Sequence, residues 1–172
     1  MARVMVFIDG SNLYHALKSE TSSTAIDLYS FGQKLAGSNE LHTIYYYNAT
    51  LPHTHDPDRY KRQQQFFARV QRTPRVIMRL GHCRTRGGVL VEKGVDVLIA
   101  VDMLIHASRG NYDVAVLVSG DGDLVPAVQA VTELGRIVIN AAFPSSRSDA
   151  LVNVCHEFIA IDDAYMSDCR PV

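Results

Sequence analysis

The 172-residue sequence predicts an α/β fold, a central parallel sheet of about five strands with helices on both faces. Three observations lead there. Short β-rich apolar runs alternate with helical stretches along the whole chain. The run from Asp113 to Val118 is apolar after its first residue, as strands buried on both faces are. Two runs end in glycine-containing acidic turns, Ile8-Asp9-Gly10 and Ser119-Gly120-Asp121-Gly122-Asp123, where a helix begins.

Taken in order, residues 3–8 (RVMVFI) read as the first strand and Asn12 to Ser19 as a helix with Leu13, Ala16 and Leu17 on one face. Ala25 to Ala36 is a second helix, capped near Asp27 and closed by Gly37. Leu41 to Asn48, with Ile44 and three consecutive tyrosines, is the second strand. After the turn-like LPHTHDPD, Asp58 to Arg72 forms a long basic helix with Phe66, Phe67 and Val70 inward. Arg75 to Leu80 is the third strand, and Thr85 to Lys93 is a loop or small hairpin around Gly87-Gly88. Val95 to Ser108 is apolar on almost every face, which predicts a largely buried helix. Asp113 to Val118 is the fourth strand, Leu124 to Leu134 a helix ended by Gly135, and Arg136 to Ala142 the fifth strand. Ser148 to Cys155 forms one more helix before a short FIAI strand.

With 47% hydrophobic and 20% charged residues, the composition is that of a globular chain and excludes disorder. No apolar run approaches the roughly 18 residues of a membrane span, and MARVMVFIDG lacks signal-peptide architecture. Cys83, Cys155 and Cys169 are scattered without CxxC spacing, so reduced thiols in a cytoplasmic protein are expected. His82 beside Cys83 finds no further ligands nearby for a zinc site. The net charge of −1 hides an asymmetry. Ten of the 17 Lys/Arg lie between Arg59 and Lys93, where Glu92 is the only acid; that segment therefore carries +9 and the remainder −10. A basic segment beside an acidic remainder suits a polyanion-binding protein with a carboxylate site, although a charge run is also what a solvated helix face looks like.

In open parallel sheets the site lies outside the carboxyl ends of the strands. There Asp9 leaves the first strand, with Asn12 near the following helix start, and Ser119 to Asp123 leave the fourth. Lys93-Gly94-Val95-Asp96 opens the apolar helix between them. Asp102, six residues on, lies about 120° around that helix from Asp96 and need not share its site. Each acid taken alone reads as a helix cap. Several at one sheet edge repel one another unless a cation lies between them, and a hard divalent ion, Mg²⁺ or Mn²⁺, suits carboxylate and water ligands. Asp102 is instead a buried structural acid or a supporting group, with His106 one turn on as its candidate partner.

FIDGSNL, KGVDVLIAVDML and SGDGDLVPAVQAV, in this order and spacing, resemble the NYN domain of the PIN-like nuclease superfamily, close to its LabA-like bacterial branch. The resemblance covers about Arg3 to Ala142 and treats residues 1–172 as one domain, with 143–172 a C-terminal extension. It implies a three-layer α/β/α sandwich and metal-dependent cleavage of RNA with Mg²⁺ or Mn²⁺. Carried over by position, Asp9, Asp96, Asp121 and Asp123 are the expected catalytic and metal-holding acids. Asn12 and Ser119 match the polar residues that accompany them, and Asp102 matches a frequently acidic position. Gly122 and Leu124 stand where Ser and Phe are common in the family, which removes no ligand.

Charge alone assigns the rest. Lys93, Arg84 and Arg86 are expected to grip RNA phosphates or to steady the transition-state charge, and the helix carrying Arg59, Lys61, Arg62, Arg69 and Arg72 to guide the strand in. Tyr45, Tyr46 and Tyr47 are candidates for base stacking, or for the core. An exposed Phe66/Phe67 pair would offer a face for a homo-oligomer. An aspartyl-phosphate phosphatase would want DxDxT where DGSNL stands, and dinucleotide binding lacks its GxGxxG. The alternative of a different class is a non-catalytic RNA-binding or regulatory module that retains the fold.

Overall fold

A computed structural model describes all 172 residues. The chain runs β1 (Arg3–Asp9), α1 (Gly10–Glu20), α2 (Leu28–Ala36), β2 (Glu40–Thr50), α3 (Pro57–Arg72), β3 (Val76–Arg86) and β4 (Val89–Lys93). It continues with α4 (Val95–Ser108), β5 (Val114–Val118), a 3₁₀ turn (Gly122–Leu124), α5 (Val125–Glu133), β6 (Ile137–Ala142), α6 (Asp149–Val154), β7 (Glu157–Ala160) and α7 (Asp163–Ser167). The strands form one sheet in the order β4-β3-β2-β1-β5-β6-β7. All neighbours pair in parallel except β3 and β4, which are antiparallel.

β1 shows why two faces are covered. Val4, Val6 and Ile8 point to one side and pack with α1, α2, α3 and α7 residues, among them Leu17, Phe31, Phe67 and Met166. Met5 and Phe7 point to the other, against Ile99, Met103, Val128 and Leu151 of α4, α5 and α6. The three-layer α/β/α arrangement follows from that alternation.

Seven strands stand where about five were expected. The third runs past Leu80 to Arg86 and folds back through Gly87-Gly88 into β4, pairing His82 with Lys93 and Arg86 with Val89. The FIAI segment joins the opposite edge, with Phe158 beside Asn140. Polar and charged residues in the hairpin hide its strand character, because its outer face is solvated.

The fourth helix corrects a second expectation. Val97 is 59% exposed, Val101 43% and Ile105 38%, so α4 is not largely buried. Only its sheet-facing side, with Val95, Ile99, Asp102, Met103 and Ala107, is covered. Conversely, all three tyrosines of β2 are buried. They alternate between faces, but the strand is internal and both of its faces carry helices, so none is free to stack on bases. Phe67 is buried as well, and Phe66 packs edge-on against Tyr46, which removes the proposed Phe66/Phe67 association face.

Candidate functional site

β1 and β5 are neighbours, with Ile8 in register with Val118, so the two acidic turns leave the sheet side by side. Asp9 caps α1: one carboxylate oxygen accepts from the Asn12 backbone N–H at 3.2 Å. The other accepts from the Ser119 hydroxyl, also at 3.2 Å. Ser119 Oγ accepts in turn from the Asp121 N–H at 3.1 Å, and Asn12 Oδ1 from the Gly120 N–H at 3.0 Å. The Asp121 carboxylate caps the 3₁₀ turn by accepting from the Asp123 N–H at 2.9 Å. The capping and site readings of these acids therefore coexist: the caps hold carboxylates at the edge.

Close approach, not a left-handed turn, demands glycine here. A Cβ on Gly10 would lie 2.4 Å from the Tyr46 ring and 2.5 Å from the Tyr47 carbonyl. One on Gly120 would lie 1.9 Å from the Ser146 carbonyl oxygen.

The field in this seam is negative. Burial lifts the Asp9 carboxyl from 3.8 to about 6, the bonds from Asn12 and Ser119 oppose that, and the carboxylates of Glu92 and Asp121 push it further up. Asp9 lines a cleft of about 510 Å³ with Asn12, His15, Glu92, Ser145 and Ser146. Asp96, in the first turn of α4, and Asp123 line a second groove of about 300 Å³ against α5, with Val97, Leu104, Leu124 and Pro126. Asp121, bonded to Ser119 on one side and to the Asp123 amide on the other, links the Asp9 seam to the turn that carries Asp123. Of the four motif acids, Asp9 thus lines one depression, Asp96 and Asp123 the other, and Asp121 lines neither.

None of Asp9, Glu92, Asp96, Asp121 and Asp123 is paired with a side-chain cation, whereas Asp102, Asp113, Asp149, Asp163 and Asp168 all are. No three His, Cys, Asp or Glu side chains converge into a closed cation cage. Carboxylate, amide and hydroxyl oxygens nonetheless suit a hard divalent ion, since Mg²⁺ is commonly held by one or two carboxylates with water and substrate phosphate completing its shell.

Asp102 lies elsewhere. It is buried, accepts from the Tyr47 hydroxyl at 3.0 Å, and takes two bonds from the Arg79 guanidinium at 3.1 and 3.2 Å. Its partner is not His106, whose ring meets the Tyr45 hydroxyl at 2.8 Å instead. The reason is register: Tyr45 and Tyr47 stand two apart on one face of β2, as His106 and Asp102 stand one turn apart on α4, so each tyrosine meets its own residue.

The basic residues fall at two ends. Arg59 and Arg62 occupy the first turns of α3, which follows the carboxyl end of β2, and Arg84, Arg86 and Lys93 are exposed on the hairpin. Arg69 and Arg72 sit in the last turn of α3, away from the acidic edge. Glu20, Glu92, His15, Ser19, Ser145 and Ser146 are polar cleft residues that motif reasoning missed. Only Glu92 carried a signal, as the single acid in the basic segment. The three thiols are free, and burial raises that of Cys83, away from a zinc-binding thiolate.

No curated protein sequence matches the chain. Among solved structures, a protein of unknown function, VPA0982 from Vibrio parahaemolyticus RIMD 2210633, is similar at 22% identity. The match covers 99% of this chain and 96% of that one with a TM-score of 0.73, a likeness of fold. Plasmodium falciparum nicotinic acid mononucleotide adenylyltransferase matches at 12% identity over 94% of this chain and 75% of its own, with a TM-score of 0.39, too distant to bear on function. The sequence profile of the NYN domain matches residues 3–162. With the fold described above, that match over nearly the whole length places the chain in the NYN domain family, whose members share the PIN-like fold and are generally nucleases.

Proposed function

We propose that residues 1–172 act as one domain, a ribonuclease that hydrolyses RNA phosphodiester bonds with a divalent metal, Mg²⁺ or Mn²⁺, at the carboxyl edge of the sheet. The observation that carries this reading is that the Asp9 carboxylate is tied through the Ser119 hydroxyl to the Asp121 backbone N–H, which sets two carboxylates without a cationic partner at one sheet edge. Asp9 and Asp121 hold the ion. Asp96 and Asp123, in the adjoining groove, hold a second ion or orient the attacking water. A bound divalent ion supplies charge stabilisation at the phosphate and lowers the pKa of water. Ser119 and Asn12 fix the carboxylates, Ser119 through Asp9 and Asn12 through the Gly120 amide.

Arg84, Arg86 and Lys93 on the hairpin, with Arg59 and Arg62 on α3, attract the RNA backbone, which gives salt-dependent binding with little sequence reading. No helix is long and apolar enough to cross a membrane, and three free cysteines accord with a reducing cytoplasm. The division of the acids between two depressions favours one second reading, an RNA-binding module without turnover. The experiment that separates them is incubation of labelled single-stranded RNA with the protein and Mn²⁺ or Mg²⁺, beside EDTA and Asp121→Asn. Cutting that needs the metal and is lost in the variant supports the nuclease. Salt-sensitive binding without cutting supports the module.

A further inference from the structure

Asn140 is the one polar residue of β6, and it is fully buried, in register with Leu117 of β5 and Phe158 of β7. Its side-chain amide donates to the Leu117 carbonyl at 3.1 Å and to the Ser119 carbonyl at 2.9 Å. Exchanging its nitrogen and oxygen would set an acceptor against both carbonyls, so the orientation is fixed. Its own carbonyl oxygen is buried without a partner in the chain. An apolar strand residue would avoid that cost, so the two donated bonds are what an asparagine supplies here. Ser119 lies one residue past Val118, the last residue of β5 paired with β6. Its carbonyl and the Gly120 N–H belong to one peptide unit. Asn140 holds that unit by its oxygen, and Asn12, from the helix that follows β1, holds it by its N–H at 3.0 Å. The elements on either side of β5 thus clamp the first peptide beyond its end.

We propose that Asn140 is a positioning residue: by fixing the Ser119–Gly120 peptide against Asn12, it keeps the Ser119 hydroxyl between Asp9 and the Asp121 amide and so holds those two carboxylates in their working arrangement. The inference rests on the ribonuclease reading above and names a residue that none of the three sequence motifs contains. Asn140 acts through Ser119 and needs no contact with substrate. A peptide held at one end only is free to rotate about the bonds that flank it, which carries the Asp121 amide away from Ser119 Oγ. Small displacements of that kind are costly where a reaction depends on the placement of its groups. Binding of the RNA backbone, which falls to the cations of the hairpin and α3, does not depend on the clamp.

The test pairs amide hydrogen exchange of the full chain, without metal or RNA, with cleavage of labelled single-stranded RNA in Mn²⁺. Asn140→Asp keeps the shape and replaces the donors by an acceptor, and Asn140→Leu keeps a similar volume without polar atoms. Should the buried carboxylate prevent folding, Asn140→Leu carries the test. Both variants are expected to speed exchange at Gly120 and Asp121 by about tenfold or more, while Val116, inside β5, stays as protected as in the parent. Both should lower kcat by about tenfold or more and leave KM nearly unchanged. Asn12→Ala combined with Asn140→Leu should lose less than the product of the two single losses, because both side chains hold one peptide unit. Parent-like exchange at Gly120 and Asp121 overturns the proposal, and exchange that rises equally at Val116 reduces Asn140 to core packing and overturns it too. So does an unchanged kcat, or losses that multiply in full with Asn12→Ala. A parent that cuts no RNA defeats the ribonuclease reading instead, and the exchange result then decides the clamp on its own.

Discussion

Replacing Asp9 by Asn should make the metal-free protein more stable while removing its activity. The carboxyl group is raised from 3.8 to about 6, chiefly by burial and then by Glu92 and Asp121, so the folded state holds the charged form at a cost. A shift of that size corresponds to about 3 kcal/mol, at roughly 1.36 kcal/mol per unit. Because the carboxylate keeps some contact with water along the cleft, about 2 kcal/mol is the expected figure. Asn keeps an acceptor oxygen for the Asn12 amide, so the helix cap survives. The sign follows from the raised pKa. Below about pH 4, Asp9 is protonated folded and unfolded alike and imposes no penalty; the penalty grows as pH rises and is complete above about pH 6. Urea unfolding in EDTA at pH 4, 5, 6 and 8 measures it. The stability gained by Asp9→Asn should grow across that range and level off, and Mn²⁺ should then stabilise the parent but not the variant. A variant no more stable than the parent at pH 8, or one whose advantage is largest in acid, would refute the reasoning.

Three further outcomes follow from the same structure. Arg79→Ala strands the buried Asp102 carboxylate with only the Tyr47 hydroxyl, and should cost about 2–3 kcal/mol in chemical denaturation without changing Mn²⁺ affinity. Tyr47→Phe removes one hydrogen bond to Asp102, worth about 1 kcal/mol, and should leave RNA affinity unchanged because the ring is buried; a loss of RNA binding would restore the stacking role. The double variant Arg84→Ala/Arg86→Ala should flatten the salt dependence of RNA binding by about 1.4 in log–log slope, at roughly 0.7 per phosphate contact. An unchanged slope would place the RNA path away from the hairpin.

The parallel core was legible because its physics is local. β1, β5 and β6 are short apolar runs, which gives their strand character, and the glycines and acids at the ends of β1 and β5 mark the site edge. α2 announced itself by Asp27, which accepts from the Tyr29 and Ser30 amides, and by Gly37 at its end. The hairpin was obscured by its solvated, cationic outer residues, and the exposure of Val97, Val101 and Ile105 by the assumption that an all-apolar helix must be enclosed. Within the site, the pairing of Asp9 with Ser119 follows from adjacent strands and is invisible in a linear sequence until strand order is known. The Asp102–Arg79 bond depends on the β2–β3 register, Tyr47 beside Arg79, which no periodicity encodes. Glu92 enters the Asp9 cleft only once the chain has turned back at Gly87-Gly88.

The central claim is that carboxylates at this edge direct metal-dependent attack on an RNA phosphate. It is tested most directly with an RNA whose phosphates carry sulfur in place of one non-bridging oxygen. Sulfur is a poor partner for Mg²⁺ and a better one for the softer Mn²⁺. The account predicts cleavage of the sulfur-substituted RNA that is slowed in Mg²⁺, restored in Mn²⁺ and absent with Asp9→Asn. Equal cleavage in both metals, or cleavage that persists in EDTA, would contradict it.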